Sequence, residues 1–90
     1  MGTMSKGEQF AALLRDARAA AGVTQTELMI ELGLRQVASI SRYENGRSIP
    51  DPEVFHRIVA VLGLDPDDAW TLWGLAYAER TRAALEALGD

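Results

Sequence analysis

The chain has 90 residues, of which 48% are hydrophobic, and a formal net charge of −4. This length fits one domain over residues 1–90 with a modest core, which dimerisation would help to stabilise. The absence of cysteine excludes disulfide bonds and thiolate metal sites. No apolar run approaches the roughly 20 residues that span a bilayer, and the first ten residues lack the apolar core of a signal peptide. We therefore expect a cytoplasmic protein with no membrane partner.

The charges are unevenly distributed along the chain. Residues 1–50 hold six basic and five acidic side chains, whereas residues 51–90 hold three basic and eight acidic ones. The negative total argues against a nucleic-acid partner, but a local basic face in the first half can still meet phosphates.

Capping signals divide the chain into five predicted helices. Ser5 with Glu8, and Thr24 with Glu27, have the spacing of capping boxes, in which each side chain satisfies a free backbone amide of the other residue. Glycines follow the first four helical segments, and prolines occupy the first helical position of the last two. The predicted helices span about residues 6–21, 25–32, 36–44, 52–62 and 66–88. No segment has the period-two alternation of a strand, so the fold class is all-α.

The second and third helices are short and are joined by a few residues that include a glycine, which is the helix-turn-helix arrangement. Helical periodicity places Val37, Ile40 and Glu44 on one face of the third helix. The opposite face combines small and cationic residues, namely Arg35, Ala38, Ser39 and Arg42. Small residues allow close approach to base edges, and arginine pairs with guanine through two hydrogen bonds. The alternative is an ordinary solvated face that carries two arginines.

Several motifs resemble the Cro/lambda-repressor type (XRE-like) of helix-turn-helix. They are AGVTQTEL at 21–28, ELG at 31–33, ISRYENGR at 40–47, and Pro50. The resemblance covers about residues 8–69. It implies a compact, lambda-repressor-like DNA-binding domain of five helices, here with an extended C-terminal helix, that is often dimeric and regulates transcription.

The resemblance also implies roles for individual residues. Gln25 matches a glutamine that touches the DNA backbone and steadies the reading helix, while Asn45, Gly46 and Arg47 match a loop that offers amides and a side chain to phosphate. Arg18 and Glu44 match a structural salt bridge between the first helix and the reading helix. The expected DNA-binding residues are Gln25, Arg35, Gln36, Val37, Ala38, Ser39, Ser41, Arg42, Asn45 and Arg47.

Two features depart from the family pattern. Gly33 and Ile40 are seven residues apart instead of six, so the turn has an extra residue and the base contacts near Arg35 cannot be copied from relatives. Met29 occupies a position where the family favours alanine. We expect it to push the two helices apart or to fill space that the longer turn creates.

The last helix has a large apolar load on one stripe at three- and four-residue spacing. Either this stripe closes the domain's own core or part of it pairs with a second chain. We expect Trp70 and its neighbours to complete the core and residues from about Tyr77 onwards to contact a second copy. The expected dimer contacts are Trp73, Tyr77, Thr81, Ala84 and Leu88.

These observations favour a sequence-specific transcriptional regulator of double-stranded DNA, a repressor acting as a homodimer with its reading helix in the major groove. The alternative is an antitoxin-like or partner-binding module that engages a second protein through the Trp-bearing C-terminal helix. We do not expect an enzyme, because the chain has no Ser/His/Asp set and no phosphate-binding glycine loop. His56 has no second ligand at metal-binding spacing, so we expect no metal and no cofactor.

Overall fold

The computed structural model of the chain describes residues 3–89, and side chains throughout that range apart from 79–84. Its five helices are α1 (Lys6–Ala20), α2 (Gln25–Glu31), α3 (Val37–Glu44), α4 (Pro52–Leu62) and α5 (Pro66–Leu88). Residues 3–89 contain no strand, and the predicted all-α class is confirmed. None of the helices in that range is both long and apolar enough to cross a membrane.

The first two helices begin at the predicted capping boxes. The Ser5 hydroxyl accepts a hydrogen bond from the Glu8 amide, and the Thr24 hydroxyl accepts one from the Glu27 amide. In each box the glutamate side chain accepts a hydrogen bond from the backbone amide of the capping residue. Reciprocal bonds of this kind satisfy amides that a helix start otherwise leaves without partners.

The turn between α2 and α3 contains the extra residue. Gly33 has a φ of +70°, and the Leu34 amide donates to the Met29 carbonyl, which is the hydrogen bond that closes a Schellman motif. Gln36 is extended, with φ −137° and ψ 134°, so α3 begins at Val37 and not at about Gln36. Arg35 therefore lies in the turn and does not share the helical face predicted for it with Ala38 and Arg42.

The core lies where α1, α3, α4 and α5 converge on α2. Its members are the apolar side chains Phe10, Leu14, Leu28, Leu32, Ile40, Phe55, Ile58, Leu62, Leu72 and Tyr77. Met29 is half-buried against this core, so it fills space between α2 and its neighbours. Removing these large apolar surfaces from water is the main stabilising contribution, because free energy scales with the apolar area buried.

Two predictions for α5 are wrong in detail. Tyr77 is 3% exposed, belongs to the core, and donates its hydroxyl to the Pro50 carbonyl, so it is not an open dimer contact. Trp70 is 76% exposed and does not complete the core. The burial of Tyr77 follows from edge-to-face packing against Phe55 and a tilted contact with Trp73.

The remaining predicted dimer contacts have different environments. Trp73 is half-buried between Phe55 and His56, whereas Leu88 is 82% exposed near the end of α5. Thr81 and Ala84 lie outside the residues whose side chains are described. Only Leu88 of the described predicted contacts is therefore a largely open apolar side chain.

The start of α1 packs closely against the loop after α3. Gly46 has a φ of +73°, and a Cβ built there would lie 3.4 Å from the Gly7 carbonyl oxygen. A side chain at Gly46 would be strained by the backbone conformation and would press on α1. Glycine at this position keeps the end of α3 in register with the first turn of α1.

Candidate nucleic-acid interface

A buried ion pair fixes α3 against α1. Glu44 is 3% exposed and accepts hydrogen bonds from Arg18 Nε at 2.5 Å and Nη2 at 3.0 Å. Arg18 Nη1 also donates to the Val23 carbonyl at 2.9 Å, just before α2. The hydrogen bond to Glu44, with the added attraction of the carboxylate charge, raises the pKa of Arg18 although burial opposes the shift. The two-hydrogen-bond geometry sets orientation as well as distance.

Gln25 and Ser41 extend this ion pair to α2. Gln25 Nε2 donates to Glu44 Oε1 at 3.1 Å, and the Ser41 hydroxyl donates to Gln25 Oε1 at 3.4 Å. We call Arg18, Gln25, Ser41 and Glu44 the anchoring network. It joins the last turn of α1, the first turn of α2 and the inner side of α3, so the two helices of the helix-turn-helix are held at one angle.

The outer side of α3 presents few large groups. Ala38 and Arg42 are exposed, Ser39 is half-buried, and Val37 is half-buried toward the inner side that Ile40 and Glu44 occupy. Ala38 and Arg42 are four residues apart and therefore share a helix face. A helix with this face can lie deep in a groove and extend one guanidinium to base edges.

Three exposed arginines surround this face. Arg35 lies in the turn before α3, Arg42 lies in its last turn, and Arg47 follows it. Within the part of the chain that the structure describes, none of these guanidiniums forms a hydrogen bond or an ion pair. Since Arg18 compensates the only acid on α3, Glu44, the surface is locally positive despite the negative total charge.

The loop after α3 supplies side chains more than amides. The Arg42 carbonyl accepts hydrogen bonds from the amides of Arg47 at 2.9 Å and Ser48 at 3.4 Å. The Arg47 amide is therefore already engaged, contrary to the expectation that this residue offers its amide to phosphate. The exposed side chains of Asn45 and Arg47 stay available to solvent.

Tyr43 packs beside this surface and not on it. It is half-buried against the core cluster. Burial and the nearby Asp51 carboxylate raise the pKa of Tyr43, while the Arg42 charge opposes the shift. The phenol is therefore neutral at physiological pH.

The structure adds two contacts to those predicted from the sequence. Ser41, expected on or beside the base-reading surface, is half-buried and directs its hydroxyl at Gln25. Arg57 of α4 donates through Nη1 to the Leu32 carbonyl at 3.3 Å, where it satisfies an acceptor at the end of α2. The signal for the Ser41 contact was its position one helical turn before Glu44, whereas nothing in the sequence connects Arg57 with Leu32.

No curated protein and no solved structure matches the chain. A family model described as a helix-turn-helix domain matches residues 9–71, which include α1 to α4 almost entirely and the first turn of α5. This match confirms the resemblance drawn from the motifs between residues 21 and 50. The anchoring network and the open face of α3 lie inside the matched range, and the chain belongs to the family of helix-turn-helix domains.

Proposed function

We propose that this protein is a sequence-specific, double-stranded DNA-binding transcriptional regulator in the cytoplasm that acts as a repressor. α3 enters the major groove, where Arg42 and the small residues Ala38 and Ser39 face base edges. Arg35, Asn45 and Arg47 contact the phosphate backbone on either side. Gln36 and Val37 stand at the entrance of the groove because they begin α3.

The observation that carries this proposal is the contrast between the two sides of α3. Its inner side is held by the buried Glu44 carboxylate, and its outer side presents exposed Ala38 and the unpaired Arg42 guanidinium. Recognition needs this combination, because a reading side chain discriminates between bases only when its helix is held in a defined orientation.

We further propose that the protein binds DNA as a homodimer. Two reading helices related by a two-fold axis fit a near-palindromic site whose half-sites are about one duplex turn apart, roughly 34–36 Å. The exposed apolar side chains of α5 support a second copy as the partner, since Trp70, Leu85 and Leu88 are at least 63% exposed.

Selection from a randomised duplex pool at moderate salt tests the proposal. We expect a near-palindromic motif to be enriched. Arg42→Ala should then lose about 1–3 kcal/mol of affinity for the motif and relax specificity at one base pair of each half-site. Arg15→Ala is the matched control, because Arg15 is an exposed arginine on α1 away from the reading face. Absence of an enriched motif, or equal losses in the two variants, would contradict base readout by α3.

A reporter gene tests the regulatory sign separately. When the selected motif overlaps a promoter, we expect transcription to fall on expression of the protein and to recover with Arg42→Ala. A rise in transcription would contradict the repressor assignment and leave DNA recognition standing.

A second candidate function is an antitoxin-like or partner-binding module that engages another protein through α5. The large exposure of Trp70 and the acidic balance of residues 51–90 favour it. It predicts a stoichiometric complex with an identified second protein that Trp70→Ala abolishes. It also predicts duplex affinity that does not depend on sequence, whereas an enriched duplex motif without any such complex would contradict it.

A further inference from the structure

Exposed apolar side chains on α5 lie at its two ends and on one face. Trp70 is 76%, Leu85 63% and Leu88 82% exposed. Trp70 and Leu88 are 18 residues apart, which corresponds to five whole turns of an α-helix, so they point in the same direction. Leu85 is displaced from that direction by about one sixth of a turn.

A groove borders the Trp70 end of this face. It has a volume of roughly 380 Å³ and lies between α4 and α5, with walls that include His56, Val59, Pro66, Ala69, Trp70 and Trp73. One turn after Trp70, Gly74 is exposed, and a Cβ built there would have no atom within 4 Å. The Trp70 end is therefore a concave apolar surface with a gap at Gly74.

The other end of α5 provides side chains of complementary shape but cannot reach this groove in the same molecule. Residues 85–89 are all exposed. Leu88 and Trp70 are separated by about 27 Å along one continuous helix. The leucines of one copy can fill only the groove of another.

We propose that α5 pairs in antiparallel orientation with α5 of a second copy, with Leu88 of each chain against Trp70 of the other and Leu85 opposite Gly74. Both pairings place the two-fold axis at the level of residue 79, since that position is midway between 70 and 88 and about midway between 74 and 85. One register therefore satisfies both ends and produces two identical contact sets, as an isologous interface requires. Antiparallel packing also places each helix N-terminus beside the C-terminus of the other, which their dipoles favour.

This inference deepens the proposed homodimer and rests on it, but it does not rest on DNA binding. Gly74→Leu tests it without weakening the monomer, because the position has free space within its own chain and leucine favours helix more than glycine does. We expect Gly74→Leu and Leu88→Asp each to raise the dimer dissociation constant at least about tenfold in sedimentation equilibrium. Ile30→Asp is the matched control, since Ile30 is 63% exposed on α2, outside the proposed interface.

Thermal unfolding accompanies these variants, and Gly74→Leu should melt at or above the wild-type temperature when both are measured as monomers at low concentration. Wild-type dissociation constants for both Gly74→Leu and Leu88→Asp would overturn the proposed register. A wild-type chain that stays monomeric at high micromolar concentration would overturn the homodimer itself. Duplex selection with the same samples shows separately whether DNA recognition holds.

Cross-linking reports the orientation, and the chain has no native cysteine to interfere. A mixture of Trp70→Cys and Leu88→Cys chains should give a cross-linked heterodimer with a short bismaleimide, because the second Trp70–Leu88 contact of that heterodimer is unaltered. Each variant alone should cross-link weakly. Efficient cross-linking of Trp70→Cys to itself would indicate parallel helices and overturn the proposal.

Discussion

The α2–α3 region and the α4–α5 region are stabilised by different chemistry and present opposite surfaces. Between α2 and α3, a buried carboxylate with three hydrogen bonds sets the helix orientation and leaves three arginines unpaired outside. Between α4 and α5, aromatic contacts among Phe55, Trp73 and Tyr77 set the orientation, and the surface is acidic and apolar.

This difference shows why the net charge of a small domain is a poor guide to its partners. A total of −4 combines a balance of +1 in residues 1–50 with −5 in residues 51–90. Burying Glu44 against Arg18 removes the one acid of α3 from its surface, so the local potential there is set by arginines. The two regions can then serve different partners, the first a polyanion and the second an apolar protein surface.

The largest expected effect on stability comes from the anchoring network. Glu44→Ala leaves the Arg18 guanidinium and the Gln25 amide without their partner, and breaking a buried pair costs about 3 kcal/mol of unfolding free energy. Urea denaturation measures this loss. Glu31→Ala removes an exposed acid from α2 and should change stability by less than about 0.5 kcal/mol. Equal effects of the two substitutions would mean that the network does not orient α3.

The corresponding test in the α4–α5 region is Tyr77→Phe. This substitution removes the donor to the buried Pro50 carbonyl, and an unsatisfied buried acceptor costs about 1–2 kcal/mol. We expect lower stability in denaturation experiments with unchanged duplex affinity of the folded protein. Tyr43→Phe is the control, because the Tyr43 hydroxyl donates to no acceptor among the residues whose side chains are described. A specific loss of DNA binding in Tyr77→Phe would break the division between the two regions.

A smaller effect is expected for the phosphate contact assigned to Arg47. Arg47→Ala should weaken binding to all duplexes by a similar factor and lower the slope of log affinity against log salt by about 1. Titrations of the selected duplex and of an unrelated duplex over a range of salt measure both quantities. Arg15→Ala should leave the slope unchanged, and a loss confined to the selected duplex would instead make Arg47 a base-reading residue.

The smallest effect concerns the pH dependence of stability. Because burial and Asp51 raise the pKa of Tyr43 above 10.0, the folded state favours the neutral phenol. This contribution is fully present below the pKa of the unfolded chain and is lost as pH rises through the higher folded value. The stability difference between wild type and Tyr43→Phe should therefore shrink above about pH 10. A difference that grows in alkaline solution would contradict the direction of the shift.

Local signals in the sequence are sufficient to predict where most helices begin. A cap such as Ser5 or Thr24 acts through atoms within three residues, so its effect is visible in the sequence. The Arg18–Glu44 contact spans 26 residues and was expected only from the family resemblance. The contact from Arg57 to Leu32 has no local signature, because it depends on how α4 crosses the end of α2.

Periodicity failed at α5 for a related reason. Trp70 and Tyr77 are seven residues apart and lie on nearly the same side of the helix, yet only Tyr77 is buried. At its level α5 meets Phe55 and the Pro50 carbonyl, whereas at the level of Trp70 the groove beside α4 is open. Helical spacing determines which side chains share a face but not which level of that face has a neighbour.

The central claim is that DNA meets α3 and its flanks and not the acidic α4–α5 surface. Backbone amide chemical shifts, recorded by NMR as the selected duplex is added at moderate salt, test it most directly. We predict the largest changes at Gln25 and over residues 35–47, with small changes over residues 66–76. Large changes over 66–76 with little change over 35–47 would contradict the claim.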